Sequence, residues 1–203
     1  IIRVSGKLCN KIPHIFYFKQ PSPRIASLRK LYDQNKDLID NALVIFFPGP
    51  LTVTGEDIYE IHIHGSLVIE KKIYKILSER NGFRTAEPGE FTKRAFLNGI
   101  LDLTQAEGLN DLINAETENQ FKLSMSQYEG ALFQKLELWR KDIILLLSKL
   151  EALIDFSDEE LPSETGKNFN QRLLNLSKDI KNSIKFSDYG ERLRAGFIIT
   201  LIG

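Results

Sequence analysis

The chain has 203 residues, 42% of them hydrophobic, enough for one large domain or two small ones, each with its own core. Its 27 Lys and Arg balance 27 Asp and Glu, which excludes a whole-chain basic field for nucleic acid or membrane and leaves only local patches. A single cysteine, Cys9, excludes a disulfide framework and any multi-cysteine zinc site.

The longest strongly apolar runs, 143–147 and 42–47, fall far short of the roughly 18–20 residues of a membrane span. No signal peptide is read, so a cytoplasmic protein without membrane contact is expected. The chain starts Ile1-Ile2-Arg3 and its only methionine is the internal Met125, which reads as a fragment lacking its first residues.

In chain order, Ala42-Leu43-Val44-Ile45-Phe46-Phe47 is a buried strand stopped by Pro48-Gly49-Pro50. Residues 58–64 alternate, with Tyr59, Ile61 and Ile63 on one face, and predict a second strand ended by Gly65. Ile69, Ile73, Ile76 and Leu77 have helical spacing, and Asn81-Gly82 and Pro88-Gly89 are turns. A further helix is predicted after Asp102, an N-cap, through Leu109, Leu112 and Ile113. From Phe121 to Leu153 an apolar stripe at three- and four-residue spacing predicts one long helix, interrupted only by Gly130. Residues 155–167 read as a connection, and Phe169, Leu173, Leu176, Ile180 and Ile184 mark another helix. The end, residues 197–203, is a β-branched apolar run closing on Gly203: a terminal strand, or the start of a third domain. A strand ending in glycine is also how a phosphate-binding loop begins.

Candidate chemistry is sparse. Glu60, His62 and His64 share one face of their strand, and a carboxylate with two imidazoles could ligate zinc. The blander reading lines a cleft with them, and no metal is expected. No G-x-S-x-G elbow is present, and Cys9 lacks a paired histidine. In residues 87–99, Phe91 and Phe96 read as packing anchors and the Glu, Lys and Arg as a solvated face. Arg3 is either a surface charge or a strand-end group able to grip a carboxylate. Spacing alone does not pair it with Glu60.

Several motifs in order resemble one family: Phe46-Phe47-Pro48-Gly49-Pro50, Thr54-Gly55-Glu56-Asp57, Glu60-Ile61-His62-Ile63-His64-Gly65, Pro88-Gly89-Glu90-Phe91-Thr92-Lys93-Arg94-Ala95-Phe96 and Leu101-Asp102-Leu103-Thr104-Gln105-Ala106-Glu107. Ile154-Asp155-Phe156 and the acidic run after it belong to the same pattern. Together they resemble the tRNA-modification GTPases of the MnmE (TrmE) family.

The resemblance implies an α+β chain: a small α/β N-terminal folate-binding dimerisation domain (1–98), the first part of an all-α helical-bundle domain (99–194), and the first strand of a truncated α/β P-loop G domain (195–203). It implies a homodimer that binds 5-formyl-tetrahydrofolate or a related tetrahydrofolate. With a flavoprotein partner, MnmG (GidA), such a protein modifies C5 of the wobble uridine in certain tRNAs. GTP, magnesium and potassium belong to the G domain, whose phosphate loop is expected beyond residue 203, so this stretch by itself is expected to hydrolyse no GTP and to hold no catalytic residue. By motif, Arg3 and Glu60 match the family's folate contacts, while a third contact, a lysine, is replaced by Ile100, which offers neither charge nor hydrogen bond. Three other readings stand beside it: a folate-dependent one-carbon transferase without GTPase activity, a metal hydrolase on Glu60, His62 and His64, and a purely structural dimerisation module.

Overall fold

The computed structural model describes residues 1–155, 163–195, 200 and 202. The chain divides into two compact units, residues 1–101 and 102–203.

The first unit contains β1 (Ile2–Ser5), a 3-10 turn (Cys9–Lys11) running into a short α1 (Ile12–Ile15), β2 (Ser27–Tyr32), β3 (Leu38–Phe47), β4 (Ile58–His62), α2 (Leu67–Ser78) and α3 (Glu90–Leu97). The strands form one sheet in the order β1-β4-β3-β2, and every pairing is antiparallel. The unit is therefore α+β in the strict sense, which corrects the expected α/β arrangement. No crossover helix is needed because β2 and β3 are joined by a tight turn. Asp33 builds that turn: its Oδ1 accepts from the backbone N–H of Asn35 and of Asp37, each at 3.0 Å. Lys72 Nζ of α2 reaches Asp33 Oδ2 at 2.7 Å, ties the helix to the hairpin and holds the carboxyl below its ordinary range.

Alternation assigns the two sheet faces. Ile2, Ile61 and Val44 stand in one cross-strand row and Val4, Tyr59 and Phe46 in the next. These rows, with Leu31 and Ala42, pack against Cys9, Ile12 and Phe16 and against Ile73 and Leu77 of α2. Each large side chain fully buried there contributes roughly 1.5–3 kcal/mol. The opposite face carries Arg3, Glu60 and Ile45 in one row and His62 beside Leu43 in another.

The second unit is helical: α4 (Leu103–Ile113), α5 (Glu118–Tyr128), α6 (Ala131–Asp155) and α7 (Ser163–Ala195). Asp102 caps α4 as expected, in a reciprocal capping box with Gln105, and Thr117 and Gln120 repeat the device on α5. The stripe expected to form one long helix is split into α5 and α6. Gly130 adopts φ 88°, a left-handed conformation that ends α5 and turns the chain. Gly108 lets α4 and α5 touch, since a Cβ there would lie 2.7 Å from Tyr128 N. Side-chain amides fasten the same contact, Gln105 Nε2 donating to Tyr128 O at 3.0 Å and Gln127 Nε2 to Thr104 O at 3.1 Å.

Between α6 and α7, Trp139 Nε1 donates to Asp179 at 2.7 Å, and Leu146 and Leu176 are buried. Residues 163–167, expected as connection, already belong to α7. Asp155, the first residue of that connection, ends α6, and residues 156–162 lie outside the described residues. So does most of the expected strand at 195–203: Ala195 ends α7, and only 200 and 202 are described beyond it. Among the described residues no helix is long and apolar enough to cross a membrane.

Candidate functional site

The site begins with the pairing of β1 and β4. Arg3 is in register with Glu60, and Gly6 N–H donates to Asp57 O at 3.2 Å. Antiparallel ladders alternate, so Arg3–Glu60 is a non-hydrogen-bonded pair whose side chains stand close. Arg3 Nε donates to Glu60 Oε1 at 2.8 Å and Nη2 approaches the same oxygen at 2.7 Å. Glu60 Oε2 meets His62 Nε2 at 3.3 Å. The Arg3 guanidinium also lies 5.9 Å from the centroid of the Phe91 ring on α3. Arg3 is thus neither a lone surface charge nor free at a strand end.

The same alternation turns the backbone N–H and C=O of Arg3 and Ser5 toward the free edge of β1. A cleft of about 610 Å³ runs along that edge, lined by Arg3, Ser5, Lys7, Arg84, Phe91 and Arg94 among others. Its charges are organised. Glu90 accepts from Arg84 at 2.8 and 2.7 Å, from Arg94 at 3.1 and 2.8 Å, and from the Glu87 N–H at 2.9 Å. The Arg84 pairing, then the Glu87 N–H and Arg94, push the Glu90 carboxyl down to about 2. Arg94 also donates to Glu56 at 2.8 Å, and Ser5 Oγ lies 2.7 Å from Thr54 Oγ1. Of the charges of 87–99, Glu90 and Arg94 therefore form an internal network joining α3 to the turn before β4, while Glu87 and Lys93 are exposed as a solvated face. The anchor roles also change: Ala95 is buried while Phe96 is 43% exposed.

Glu60, His62 and His64 do not converge. His64 lies beyond the end of β4, where its Nδ1 is 2.7 Å from Asp40 Oδ1 and its backbone N–H donates to Oδ2 at 2.9 Å. Burial raises the Asp40 carboxyl, but these His64 donors and the Asn41 N–H outweigh it and hold it below its ordinary range. Among the described residues no group of three His, Cys, Asp or Glu is placed to hold a metal ion. Ile100 packs on the turn before β4, its Cγ1 and Cδ1 3.2 and 3.3 Å from where a Cβ on Gly55 would sit, and it is not among the residues lining the cleft.

Sequence reasoning missed His62 as a partner of Glu60 and the Arg84–Glu90–Arg94–Glu56 network. Glu90 and Arg94 stand four apart on one helix, which was a readable signal. Arg94 and Glu56 are 38 residues apart and left none.

Two family models divide the chain between them: the N-terminus of the GTP-binding protein TrmE matches residues 1–100, and the MnmE helical domain matches residues 103–198. Over its full length the chain is similar to the tRNA modification GTPases MnmE of Caulobacter vibrioides (44% identical), Anaplasma marginale (41%) and Roseobacter denitrificans (40%). It spans 45%, 45% and 47% of those proteins, about half the length of the relatives it matches. On both models and on these identities, the chain belongs to the MnmE (TrmE) family.

Proposed function

We propose that this chain is the N-terminal folate-binding and dimerising part, with the first part of the helical domain, of a GTPase that modifies C5 of the wobble uridine in certain tRNAs together with a flavoprotein partner, MnmG. The relatives carry the name tRNA modification GTPase, and this chain matches the TrmE N-terminus and then the MnmE helical domain. GTP hydrolysis, with its magnesium and potassium, is assigned to the protein that carries this chain, in a G domain beginning about residue 195. The 203 residues contain no G-x-x-x-x-G-K-[ST] phosphate loop.

The observation that carries the folate assignment is the Arg3–Glu60 pair, of which Arg3 lines the 610 Å³ cleft and Glu60 does not. That volume falls within the roughly 300–1,000 Å³ typical of small-molecule pockets. The pterin of a tetrahydrofolate supplies N–H donors beside a carbonyl acceptor, which suit the Glu60 carboxylate and the adjoining Arg3 guanidinium respectively. When bound, the folate would supply the one-carbon unit. Arg3 and Glu60 would bind and orient it, and Phe91 would shield one side of the guanidinium from water. The helical match over residues 103–198 weighs against a one-carbon transferase that lacks a GTPase.

The test uses the protein that carries this chain, assayed with its flavoprotein partner by mass spectrometry of tRNA nucleosides. Arg3→Ala is expected to abolish wobble-uridine modification while leaving GTP hydrolysis within about twofold. Unchanged modification, or no GTP hydrolysis in the unsubstituted protein, would overturn the assignment.

A further inference from the structure

Glu60 divides its two oxygens unequally. Oε1 receives the Nε–H of Arg3 at 2.8 Å and has Nη2 2.7 Å away, whereas Oε2 receives only His62 Nε2, at 3.3 Å. The guanidinium crowds Oε1, while Oε2, with two lone-pair positions and one partner, retains one. The open position for a ligand N–H on Glu60 is therefore at Oε2, beside His62. The Glu60 side chain is only 16% exposed and that of His62 31%, so the approach is narrow. On β3, Ile45 stands opposite Glu60 and Leu43 opposite His62, and α3 brings the Phe91 ring to Arg3. Arg3 and His62 are thus the polar partners of this carboxylate among the described residues.

We infer that His62 is a positioning residue of the folate site. By donating Nε2–H to Oε2 it fixes the rotation of the Glu60 carboxylate and leaves one defined lone pair for an amino or ring N–H of the pterin. This requires the tautomer with its proton on Nε2. Without His62 the carboxylate can turn, and its second oxygen has no fixed direction. The inference rests on the folate reading above and adds to it a residue that acts through Glu60. A glutamine can supply the same N–H from a side chain of similar reach; an alanine cannot.

The experiment is calorimetric titration of the purified chain with 5-formyl-tetrahydrofolate. The variants are His62→Ala, His62→Gln, Arg3→Ala, Glu60→Ala, Glu60→Gln and the double variant His62→Ala/Glu60→Gln, each checked for a cooperative thermal melt. His62→Phe replaces the alanine variant if that one fails to fold. His62→Ala is expected to weaken binding about tenfold and His62→Gln to recover it to within about threefold. On the Glu60→Gln background the alanine change is expected to matter less than about twofold, because its target is already altered. If His62→Ala binds like the unsubstituted chain while Arg3→Ala and Glu60→Ala lose binding, the role of His62 is overturned and the folate site stands. A loss that glutamine does not rescue and that persists in full on the Glu60→Gln background gives His62 its own contact, and overturns the positioning role. A folded unsubstituted chain that gives no heat overturns the folate reading and this inference together.

Discussion

Arg3 and Glu60 belong to different strands, 57 residues apart in sequence, yet face each other across β1 and β4 with two guanidinium nitrogens within 2.8 Å of one carboxylate oxygen. The Arg3 side chain is 44% exposed, so solvent screens the pair and its net contribution to folding is below about 1 kcal/mol. Arg3→Ala is accordingly expected to lower Tm by less than about 5 °C. A larger drop in a thermal melt would make the pair a structural bridge rather than a prepared binding group.

The Glu90 network sets an acid limit on the first unit. Its carboxyl is lowered from the ordinary 4.5 to about 2, so the stabilisation is complete above pH 4.5 and is lost as pH falls toward 2. The fall in Tm over that window should be visibly shallower in Glu90→Gln than in the unsubstituted chain. Parallel curves for the two proteins would show that Glu90 does not govern it.

At the alkaline end the sign reverses. Burial pushes the Cys9 thiol up to about 12 despite a lowering bond from the Tyr59 backbone, and Asp57 and Glu56 add to the rise. Burial, then Cys9 and Asp57, push the Tyr59 phenol to about 12 as well. Both groups ionise earlier in the unfolded chain, from 9.0 and 10.0, so stability is full below about pH 9 and declines toward pH 12. Cys9→Ala should flatten that decline, and Cys9 should resist thiol reagents until the chain unfolds. An equal slope with and without the thiol would contradict this.

Tyr59 offers a separate test. Its ring is fully buried against Phe46 and Phe18, yet its Oη has no hydrogen-bond partner among the described residues. An unpaired buried hydroxyl is unfavourable, so Tyr59→Phe should leave Tm unchanged or raise it by a few degrees. A marked loss of stability would reveal a partner for the hydroxyl.

In the helical unit two glycines should behave oppositely. A Cβ at Gly108 would meet the backbone of Tyr128 at 2.7 Å and of Gln127 at 3.0 Å, and backbone cannot give way cheaply, so Gly108→Ala should destabilise by about 1–3 kcal/mol. Gly190, inside α7, has open space around its Cβ position, and Gly190→Ala should stabilise by about 0.5–1 kcal/mol. Denaturant titration followed by far-UV dichroism separates the two, and equal effects would contradict the close α4–α5 crossing.

Elements whose signal is local were legible in the sequence. Asp102, read as an N-cap, announced the start of α4, and the spacing of Ile69, Ile73, Ile76 and Leu77 announced α2. Strand β2 was not legible: it is an edge strand in which Leu31 is the only fully buried residue, so its alternation is masked by Arg29 and Lys30. The α5–α6 break was visible as Gly130, but periodicity continues across it and nothing local revealed the positive φ. Of the site, Arg3 and Glu60 were identified by motif, while their mutual bond depends on strand register, which only the folded sheet supplies. The Arg94–Glu56 contact likewise needs α3 and the turn before β4 brought together.

The most direct test of the central claim is equilibrium titration of the chain with 5-formyl-tetrahydrofolate, with Arg3→Ala and Glu60→Ala in parallel and their folding verified. The account predicts saturable binding that each substitution weakens at least about tenfold while the thermal melts stay close. Binding indifferent to both substitutions, or no binding by a folded chain, would contradict the assignment of Arg3 and Glu60 to a folate site.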